Sequence, residues 1–376
     1  MFSVCGVDKK CIMKVTMQRN KSICFILPGY SYKALGGYKI TYEYANRLAE
    51  CGYRMTVFYP QFSKNCHYSL YGTSAGFYRI LKFLVARILR IRWFPLKNVK
   101  EILRLSYSKK VLSRFDVLIA TSIDTAFNLH SLGLDESKSC IYLIQDFENW
   151  KPFLESHVFE SYKFPMKKIA ITPWILEKVQ SCGENATLIY NGLDFSYFSL
   201  SKKIEERNPL EICVMYYERS TKRFEDSAAA LEIVHKKYPN LHVNVFGVFK
   251  NPGTFPEYFT YFKSPDRKLH NQIYNNSAVY VAASESEGFG LTVAESMICG
   301  CAVACTNNGG FASMVTDGET GLLSPVYDVN VLAQNIIKLI ENKDLRIKLA
   351  KAGNENIKKF NWETALEKFV NVIEEK

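Results

Sequence analysis

Residues 284–295 read Ser-Glu-Ser-Glu-Gly-Phe-Gly-Leu-Thr-Val-Ala-Glu, and they connect two predicted elements of an α/β unit. This stretch follows an apolar run at 278–283, which predicts a buried strand. It continues into 291–299, which predict a short helix ended by Gly300, and a second apolar run follows at 301–305. Strand, loop, helix and strand form a βαβ unit. Open α/β sheets bind ligands at the carboxyl ends of their strands, where this loop lies.

The composition of the loop predicts a ligand that carries phosphates between hydroxyl-bearing groups. Gly290 lacks a Cβ, so a ligand can approach the backbone closely, and the N–H groups that open the next helix can receive an anion. Glu287 and Glu295 flank this point, and carboxylates accept hydrogen bonds from hydroxyls. A nucleotide-diphosphate sugar has this chemistry, with ribose at one glutamate and the transferred sugar at the other. The predicted backbone contacts are Gly288, Phe289, Gly290, Leu291 and Thr292.

The alternative interpretation is a surface loop that carries two solvated carboxylates. A single glutamate on a helix would favour that alternative, because glutamate is mostly exposed in folded proteins. Here the second glutamate stands eight residues after the first, Gly-Phe-Gly follows the first one, and buried strands lie on both sides. This combination favours the ligand site.

The run 287–303 resembles the Glu-x7-Glu signature of the retaining glycosyltransferases of family four: Glu-Gly-Phe-Gly-Leu-Thr-Val-Ala-Glu-Ser-Met-Ile-Cys-Gly-Cys-Ala-Val. Gly309-Gly310 and the run 317–323 resemble the next two landmarks of that family. The resemblance extends from about residue 23 to residue 362 and is sparse from 60 to 140. It implies an α/β protein of the GT-B fold, in which two doubly wound Rossmann-like domains face a cleft and a C-terminal helix crosses back to the N-terminal domain.

The length of 376 residues also predicts two domains. We place an N-terminal tail at 1–21, an acceptor-side domain at 22–195 and a nucleotide-sugar-binding domain at 196–360. The last helix, 361–376, is expected to pack on the first domain. No apolar run reaches the roughly 18 residues that a membrane span needs, and the tail has no signal-peptide core.

Cysteine and histidine usage predicts reduced thiols and no metal site. The eleven cysteines are odd in number and form no Cys-x-x-Cys pair, which is typical of a cytosolic protein. Cys299, Cys301 and Cys305 are close together, but the last two lie in a predicted buried strand. The six histidines form no cluster with metal-ligand spacing. We therefore expect no cofactor, and a nucleotide-diphosphate sugar as the donor substrate.

The amino-terminal half begins with another βαβ pattern. Residues 22–28 predict a buried strand, 38–51 a helix and 53–59 the next strand, and the first loop ends in Gly36-Gly37. In the resembled family this glycine pair faces the donor diphosphate across the interdomain cleft. The alternative is that the two glycines serve only a turn.

Residues 77–114 carry a one-sided positive charge, with Glu101 as their one acid. Apolar residues recur at helical spacing between 80 and 91, followed by Trp93 and Phe94. A basic amphipathic helix of this kind can lie on an anionic membrane. The alternatives are a core-facing helix with a solvated basic face, and a nucleic-acid surface, for which no recognition motif is present. The basic residues are Arg79, Lys82, Arg87, Arg90, Arg92, Lys97, Lys100, Arg104, Lys109, Lys110 and Arg114.

A polar and aromatic run, Gln-Asp-Phe-Glu-Asn-Trp at 145–150, follows the predicted strand 141–144. A similar run occurs in bacterial polysaccharide glycosyltransferases, including rhamnosyltransferases. Aromatic faces stack on sugar rings while amides and carboxylates bind hydroxyls, so this run is a candidate acceptor site, and a capping loop is the alternative. Many members of the resembled family carry a histidine near residue 124 that holds the donor sugar. This chain has none there, and His130 lies six residues on.

A basic segment opens the predicted second domain after the strand 211–216. The resembled family places an arginine and then Lys-Gly here, which clamp the diphosphate. Lys222 matches the lysine, Tyr217 stands in the place of the arginine, and Arg223 replaces the glycine. Arg219 is the candidate for the second charge, and cations here would stabilise the leaving diphosphate. Lys263 is expected in the nucleobase pocket by family position alone.

These features predict a retaining glycosyltransferase that needs no metal and moves a hexosyl or deoxyhexosyl group. Glu295 would hold the ribose, and Glu287 and Lys222 would act at the reacting centre. The expected acceptor is a glycan, lipid-linked at the inner face of a bacterial membrane, in capsule, exopolysaccharide or O-antigen synthesis. A cytoplasmic protein that contacts this membrane peripherally would suit the net charge of +11. Two alternatives are a non-catalytic GT-B scaffold and, less favoured, a nucleic-acid-directed protein.

Overall fold

The computed structural model describes residues 20–62, 81, 84–85, 88, 93–150, 153–218 and 220–375. These residues divide into two compact units. Unit 1 takes in the described residues up to 170 together with 178–187 and 366–375, and unit 2 contains residues 171–177 and 188–365.

Strands and helices alternate along most of the described chain. The strands are β1 (Ser22–Ile26), β2 (Arg54–Phe62), β3 (Val99–Ser106), β4 (Val117–Ala120), β5 (Ser139–Ile144), β6 (Lys167–Ala170), β7 (Thr187–Leu188), β8 (Glu211–Met215), β9 (His242–Gly247), β10 (Phe259–Lys263), β11 (Val279–Ala282), β12 (Ala302–Thr306) and β13 (Leu322–Ser324). The helices are α1 (Gly36–Glu50), α2 (Lys109–Leu112), α3 (Ile123–Ser131), α4 (Glu155–Tyr162), α5 (Pro173–Gln180), α6 (Phe224–Lys237), α7 (Arg267–Asn276), α8 (Leu291–Ile298), α9 (Gly309–Ala312), α10 (Val329–Glu341), α11 (Lys343–Asn356) and α12 (Trp362–Glu374).

The sheet of unit 1 has the strand order β3-β2-β1-β4-β5-β6-β7. Its pairs from β3 to β6 are parallel. In β1 the residues Ile23, Cys24, Phe25 and Ile26 are all completely buried, because helices cover both faces of such a sheet. The strand order reverses direction between β1 and β4, which makes this pair the topological switch point of a doubly wound sheet.

The sheet of unit 2 repeats the same winding, with the order β10-β9-β8-β11-β12-β13 and only parallel pairs. Its switch point lies between β8 and β11. Short apolar strands such as Val279–Ala282 are buried on both faces, and aliphatic side chains of α6, α10 and α11 pack against them. The carboxyl ends of β8 and β11 therefore border the crevice in which such sheets bind ligands.

The end of α12 packs on unit 1. The ring of Phe369 lies 4.3 Å from that of Tyr44 and 6.1 Å from that of Phe25, measured between ring centroids. Glu374 accepts hydrogen bonds from Lys21 Nζ at 2.5 Å and from the Tyr53 hydroxyl at 2.6 Å. The expected packing of the last helix on the first domain is confirmed.

The division into units differs from the predicted boundary at residue 195. Residues 171–177 and 188–195 belong to unit 2, because their contacts lie there. Thr172 Oγ1 donates a hydrogen bond to the carbonyl oxygen of Gly288 at 3.1 Å, and the amide of Leu193 donates to the carbonyl oxygen of Phe360 at 2.9 Å.

The basic stretch contains a strand that the sequence pattern did not predict. Residues 99–106 form β3, which pairs in parallel with β2 and stands at the edge of the sheet. Of the predicted helix at 80–91, the described residues Leu81, Leu84, Val85 and Ile88 are helical, and the rest lie outside the described residues. Among the described residues, no helix combines the length and apolarity needed to cross a bilayer.

Candidate active site

Two loops meet at the switch point of unit 2. The first follows β8 and contains Lys222, and the second follows β11 and contains Glu287. The amide of Glu285 donates a hydrogen bond to the carbonyl oxygen of Thr221 at 2.9 Å, so the two loops are joined through their backbones. Their side chains therefore meet at the sheet edge where a ligand of this fold class binds.

Lys222 and Glu287 form an ion pair, with Lys222 Nζ 2.6 Å from Glu287 Oε2. The side chains are 19% and 11% exposed, respectively. Charged groups that are mostly buried need a partner of opposite charge, and these two side chains are partners for each other. The predicted reacting-centre residues are thus brought together, and the pair places one cation and one carboxylate beside the same crevice.

The second oxygen of Glu287 also has a donor. Ser284 Oγ donates a hydrogen bond to Glu287 Oε1 at 2.8 Å, and Ser284 is itself buried. The carbonyl oxygen of Ser284 accepts from Thr306 Oγ1 at 2.6 Å and from Asn308 Nδ2 at 2.9 Å. Sequence reasoning missed these three polar residues. Their signal is that they follow or end the adjacent parallel strands β11 and β12, whose carboxyl ends lie side by side.

Gly310 lets the backbone of α9 approach Glu287. A Cβ at position 310 would lie 2.5 Å from the carbonyl oxygen of Glu287 and 2.6 Å from its Cβ, which no real side chain tolerates. A Cβ at the neighbouring position 309 would lie 2.2 Å from Cγ of Trp174. The glycine pair predicted as a family landmark therefore has a packing reason, since one glycine touches Glu287 directly.

The start of α8 is open toward the same region. Gly290 has φ of 96°, a left-handed conformation, and a Cβ there would lie 2.6 Å from the ring of Phe311. Within the described chain, no side chain caps this helix start. The first-turn N–H groups have no intrahelical acceptor, and the helix dipole favours an anion beside them. Gly288, Phe289 and Gly290 are buried, whereas Leu291 and Thr292 are half-buried.

Glu295 lies one turn into α8, four residues after Leu291 and so on the same side of the helix. It is 7% exposed. The hydroxyl of Tyr274 approaches Glu295 Oε2 at 3.5 Å. Burial, followed by the nearby Glu295 carboxylate, holds the pKa of Tyr274 well above its usual range, so this phenol is a neutral donor.

Arg223 has a left-handed backbone conformation, which favours glycine. Its φ is 47°, and it immediately precedes α6. Its guanidinium donates two hydrogen bonds to Asp226, both at 2.8 Å, and lies 4.9 Å from the ring centroid of Tyr327. This cation therefore stabilises the start of α6. Tyr217 packs on Phe249, with ring centroids 4.8 Å apart.

The remaining predicted site residues lie elsewhere. Arg219 is outside the described residues. Lys263 is exposed at the end of the edge strand β10, which is separated from β11 by β9 and β8. Gly36 and Gly37 open α1 in unit 1, and a Cβ on Gly37 would lie 3.3 Å from Gln145 Oε1. The expected donor contacts of the glycine pair and of Lys263 stay predictions.

The run 145–150 follows β5 in unit 1. Glu148 accepts a hydrogen bond from the amide of Ile123, at the start of α3. The ring of Phe147 is buried, and Lys178 Nζ lies 4.9 Å from its centroid. The amide nitrogen of Gln145 reaches the carbonyl oxygen of Thr121 at 3.4 Å. The run thus provides structural contacts as the capping alternative expects, and acceptor binding stays a prediction.

Across the described ranges, no three His, Cys, Asp or Glu side chains come together as a group that could hold a metal. Cys24, Cys140, Cys182, Cys213, Cys299, Cys301 and Cys305 carry free thiols. Cys24, Cys213, Cys299, Cys301 and Cys305 are buried, and burial raises the pKa of the Cys24 thiol. Metal independence of the reaction stays a prediction.

Comparisons with known proteins converge on one kind of enzyme. Residues 201–356 match the family model described as "Glycosyl transferases group 1". An uncharacterised glycosyltransferase of Methanocaldococcus jannaschii is 41% identical over 95 residues, which are 25% of this chain and 27% of that protein. The phosphatidyl-myo-inositol mannosyltransferase of Mycobacterium tuberculosis is 23% identical over 52% of this chain and 56% of its own length. The chain thus spans little more than half, or less, of these curated relatives.

Solved structures show the same fold over nearly the whole chain. Sucrose-phosphate synthase of Thermosynechococcus elongatus superposes with a TM-score of 0.72 at 16% identity, covering 94% of this chain and 98% of that one. Anabaena HepE, crystallised with UDP and glucose, superposes with a TM-score of 0.69 at 15% identity, covering 94% and 99%. The predicted GT-B fold class, with two Rossmann-like parallel α/β domains, is confirmed. Residues 201–356 thus match a glycosyltransferase family model, and the solved neighbours show the fold.

Proposed function

We propose that the protein is a glycosyltransferase that moves a sugar from a nucleotide-diphosphate sugar to a glycan acceptor. The observation that carries this proposal is the Lys222–Glu287 ion pair at the switch point of unit 2, with its 2.6 Å Nζ–Oε2 distance. It lies within the segment that matches the glycosyl transferase family model. A cation, a carboxylate and an open helix start in one crevice suit a ligand with a diphosphate and a sugar.

When the donor binds, its diphosphate would replace the Glu287 carboxylate as the anionic partner of the lysine. Lys222 would turn from Glu287 to the diphosphate, and the amides that open α8 would receive the remaining phosphate oxygens. Glu295, one helical turn further on, would accept hydrogen bonds from the ribose hydroxyls. Glu287 would then accept from a hydroxyl of the transferred sugar, and its charge would support the positive character that develops at the anomeric carbon.

We propose that transfer retains the anomeric configuration and needs no metal. In this scheme the acceptor attacks the same face that the diphosphate leaves, and a donor phosphate oxygen takes the acceptor proton. Lys222 and the helix amides meet the growing charge on the leaving group. Initial rates in excess EDTA should therefore equal those with added Mg²⁺ or Mn²⁺. A rate that collapses in EDTA and returns with one ion would contradict the metal-free scheme.

The proposed acceptor is a lipid-linked glycan in bacterial surface polysaccharide synthesis, such as capsule or O-antigen. The transferred group would be a hexose or a deoxyhexose such as rhamnose. The similarity of residues 145–150 to polysaccharide glycosyltransferases supports this assignment. A further support is that one relative is named as a mannosyltransferase acting on phosphatidyl-myo-inositol, which is a lipid.

We further propose that the protein works at the inner face of the cell membrane, with the basic stretch as its contact. Leu81, Leu84 and Ile88 stand at helical spacing and are 49%, 45% and 77% exposed. The neighbouring bases are exposed as well, while Glu101 is half-buried and accepts from the Tyr59 hydroxyl at 3.2 Å. Exposed apolar side chains and exposed cations in one stretch of sequence suit an anionic bilayer. The exposed bases are Lys97, Lys100, Arg104, Lys109, Lys110 and Arg114.

Sedimentation with vesicles tests this contact. The protein should pellet with vesicles rich in phosphatidylglycerol and stay in the supernatant with pure phosphatidylcholine. Ile88→Asp should reduce the bound fraction, whereas Ile233→Asp, which alters a 36% exposed isoleucine of α6 in unit 2, should not. Tighter binding to duplex DNA than to the anionic vesicles, at equal salt, would favour the nucleic-acid alternative.

Thermal-shift screening of UDP-, GDP-, dTDP- and ADP-sugars tests the main proposal. A donor at a hundred times its dissociation constant should stabilise the fold by about 2.7 kcal/mol. The stabilising donor should then be hydrolysed slowly without acceptor, which a non-catalytic scaffold would not do. If no nucleotide sugar raises the melting temperature, the proposal is wrong.

A further inference from the structure

We propose that Ser284 is a positioning residue for Glu287, and that Thr306 and Asn308 hold Ser284 in place for this task. The proposal rests on the proposed function, in which Glu287 acts on the donor sugar. It adds a hydrogen-bond relay that runs from the end of β12 to the carboxylate. Each contact of this relay lies within unit 2.

The carboxylate of Glu287 is held by one donor on each oxygen. Lys222 Nζ lies 2.6 Å from Oε2, and Ser284 Oγ lies 2.8 Å from Oε1. Two donors on different oxygens fix both the position and the rotation of a carboxylate plane. The backbone at Gly310 packs against the main chain of Glu287, and this contact prevents Glu287 from moving toward α9.

Ser284 is itself held by the neighbouring strand. Its carbonyl oxygen accepts from Thr306 Oγ1 at 2.6 Å and from Asn308 Nδ2 at 2.9 Å, which uses both lone pairs. Thr306 is the last residue of β12. Asn308 caps α9, since its Oδ1 accepts from the amide of Phe311 at 3.0 Å. The serine hydroxyl therefore projects from a backbone that two rigid elements support.

The hydrogen bond from Ser284 controls the orientation of the Glu287 carboxylate once the donor binds. If Lys222 turns to the diphosphate, Glu287 loses its contact on Oε2, and Ser284 remains as its protein donor on Oε1. The orientation of the carboxylate at the anomeric carbon then depends on the serine. Ser284 does not touch the diphosphate in this scheme, so it should influence turnover much more than donor affinity.

Kinetics of Ser284→Ala separate the two effects. A lost hydrogen bond to a charged group predicts a fall in kcat of about ten- to a hundredfold, while the donor dissociation constant from calorimetry stays within about twofold. Ser286→Ala is the matched control, because it removes a hydroxyl from the same loop two residues away, and it should keep wild-type kcat. An equal fall in both variants would overturn the relay, because it would indicate a general disturbance of the loop.

A double mutant tests whether the serine acts through Glu287. In a Glu287→Ala background, Ser284→Ala should lower the residual kcat by less than about twofold, because its partner is already gone. If the two substitutions lower kcat by independent factors that multiply, Ser284 acts on another group, and the proposal is wrong.

Crystal structures of Lys222→Ala, which removes the lysine contact, and of the double variant Lys222→Ala/Ser284→Ala provide a readout that needs no activity. The proposal predicts that the Glu287 carboxylate stays ordered in the single variant and rotates or becomes disordered in the double variant, while the main chain of 284–287 stays in place. An unmoved, fully ordered carboxylate in the double variant would overturn the relay. A wild type that binds donor but never transfers the sugar would instead overturn the proposed function, and the structural comparison would still decide the relay.

Discussion

Gly310→Ala should disable the enzyme while leaving every polar side chain of the site in place. The new methyl would lie 2.5 Å from the carbonyl oxygen of Glu287, which is about 0.9 Å short of an ordinary 3.4 Å contact. Glu287 or α9 must therefore move by nearly that amount. Catalytic side chains tolerate a displacement of about 0.5 Å from their productive positions, and a displacement of about 1 Å can lower the rate about a hundredfold. Overpacking should also reduce the free energy of unfolding by about 1–3 kcal/mol.

Gly321→Ala is the matched control for this experiment. Its methyl would lie 2.7 Å from Val315 Cγ1, so it overpacks unit 2 to a similar extent without touching Glu287. Urea unfolding and initial-rate kinetics on both variants separate the effects. Both should lose stability, and Gly310→Ala alone should lose about a hundredfold in kcat. Equal kcat values for the two variants would refute the reasoning that Glu287 is held by its contact with α9.

Four further substitutions test other contacts of the site and of the fold. Glu295→Ala should weaken nucleotide binding by about ten- to a hundredfold in calorimetry, because buried charged hydrogen bonds to the ribose are lost; unchanged affinity would remove Glu295 from the site. Glu287→Ala should mainly lower kcat, whereas Lys222→Ala should lower kcat and weaken donor binding, and wild-type kinetics in both would contradict the ion-pair exchange. Arg207→Ala should lower the free energy of unfolding by about 3–5 kcal/mol in urea, since the buried guanidinium donates to the carbonyl oxygens of Ser277 and Lys202, both at 3.0 Å; a loss below about 1 kcal/mol would show that water replaces these bonds.

The strands of both switch points could be predicted because buried parallel strands are short, continuous apolar runs. The runs at 22–28 and 278–283 correspond to β1 and β11 within a few residues. The edge strand β3 could not be predicted in this way. It is only half-buried, and its sequence mixes charged and apolar residues without strict alternation: Val-Lys-Glu-Ile-Leu-Arg-Leu-Ser. Its pairing with β2 defines it, and pairing is a tertiary property.

In the candidate site, too, some residues could be predicted from the sequence pattern, whereas others depend on tertiary contacts. Glu287 and Lys222 could be identified because each follows a predicted strand and matches a family motif. Ser284 carries no such signal, since serine occurs in many loops and the role of this one depends on Asn308, 24 residues away. The left-handed φ of Arg223 would suit the glycine that the resemblance places there, yet nothing in the sequence shows that an arginine would accept that conformation.

The most direct test of the central claim is a crystal structure of the protein with its stabilising nucleotide-diphosphate sugar. The account predicts that the diphosphate oxygens lie within about 3.2 Å of Lys222 Nζ and of the backbone amides at the start of α8. The ribose hydroxyls should lie against the Glu295 carboxylate, and Lys222 should have left Glu287. A bound donor whose phosphates lie away from α8, with the Lys222–Glu287 pair intact, would contradict the claim.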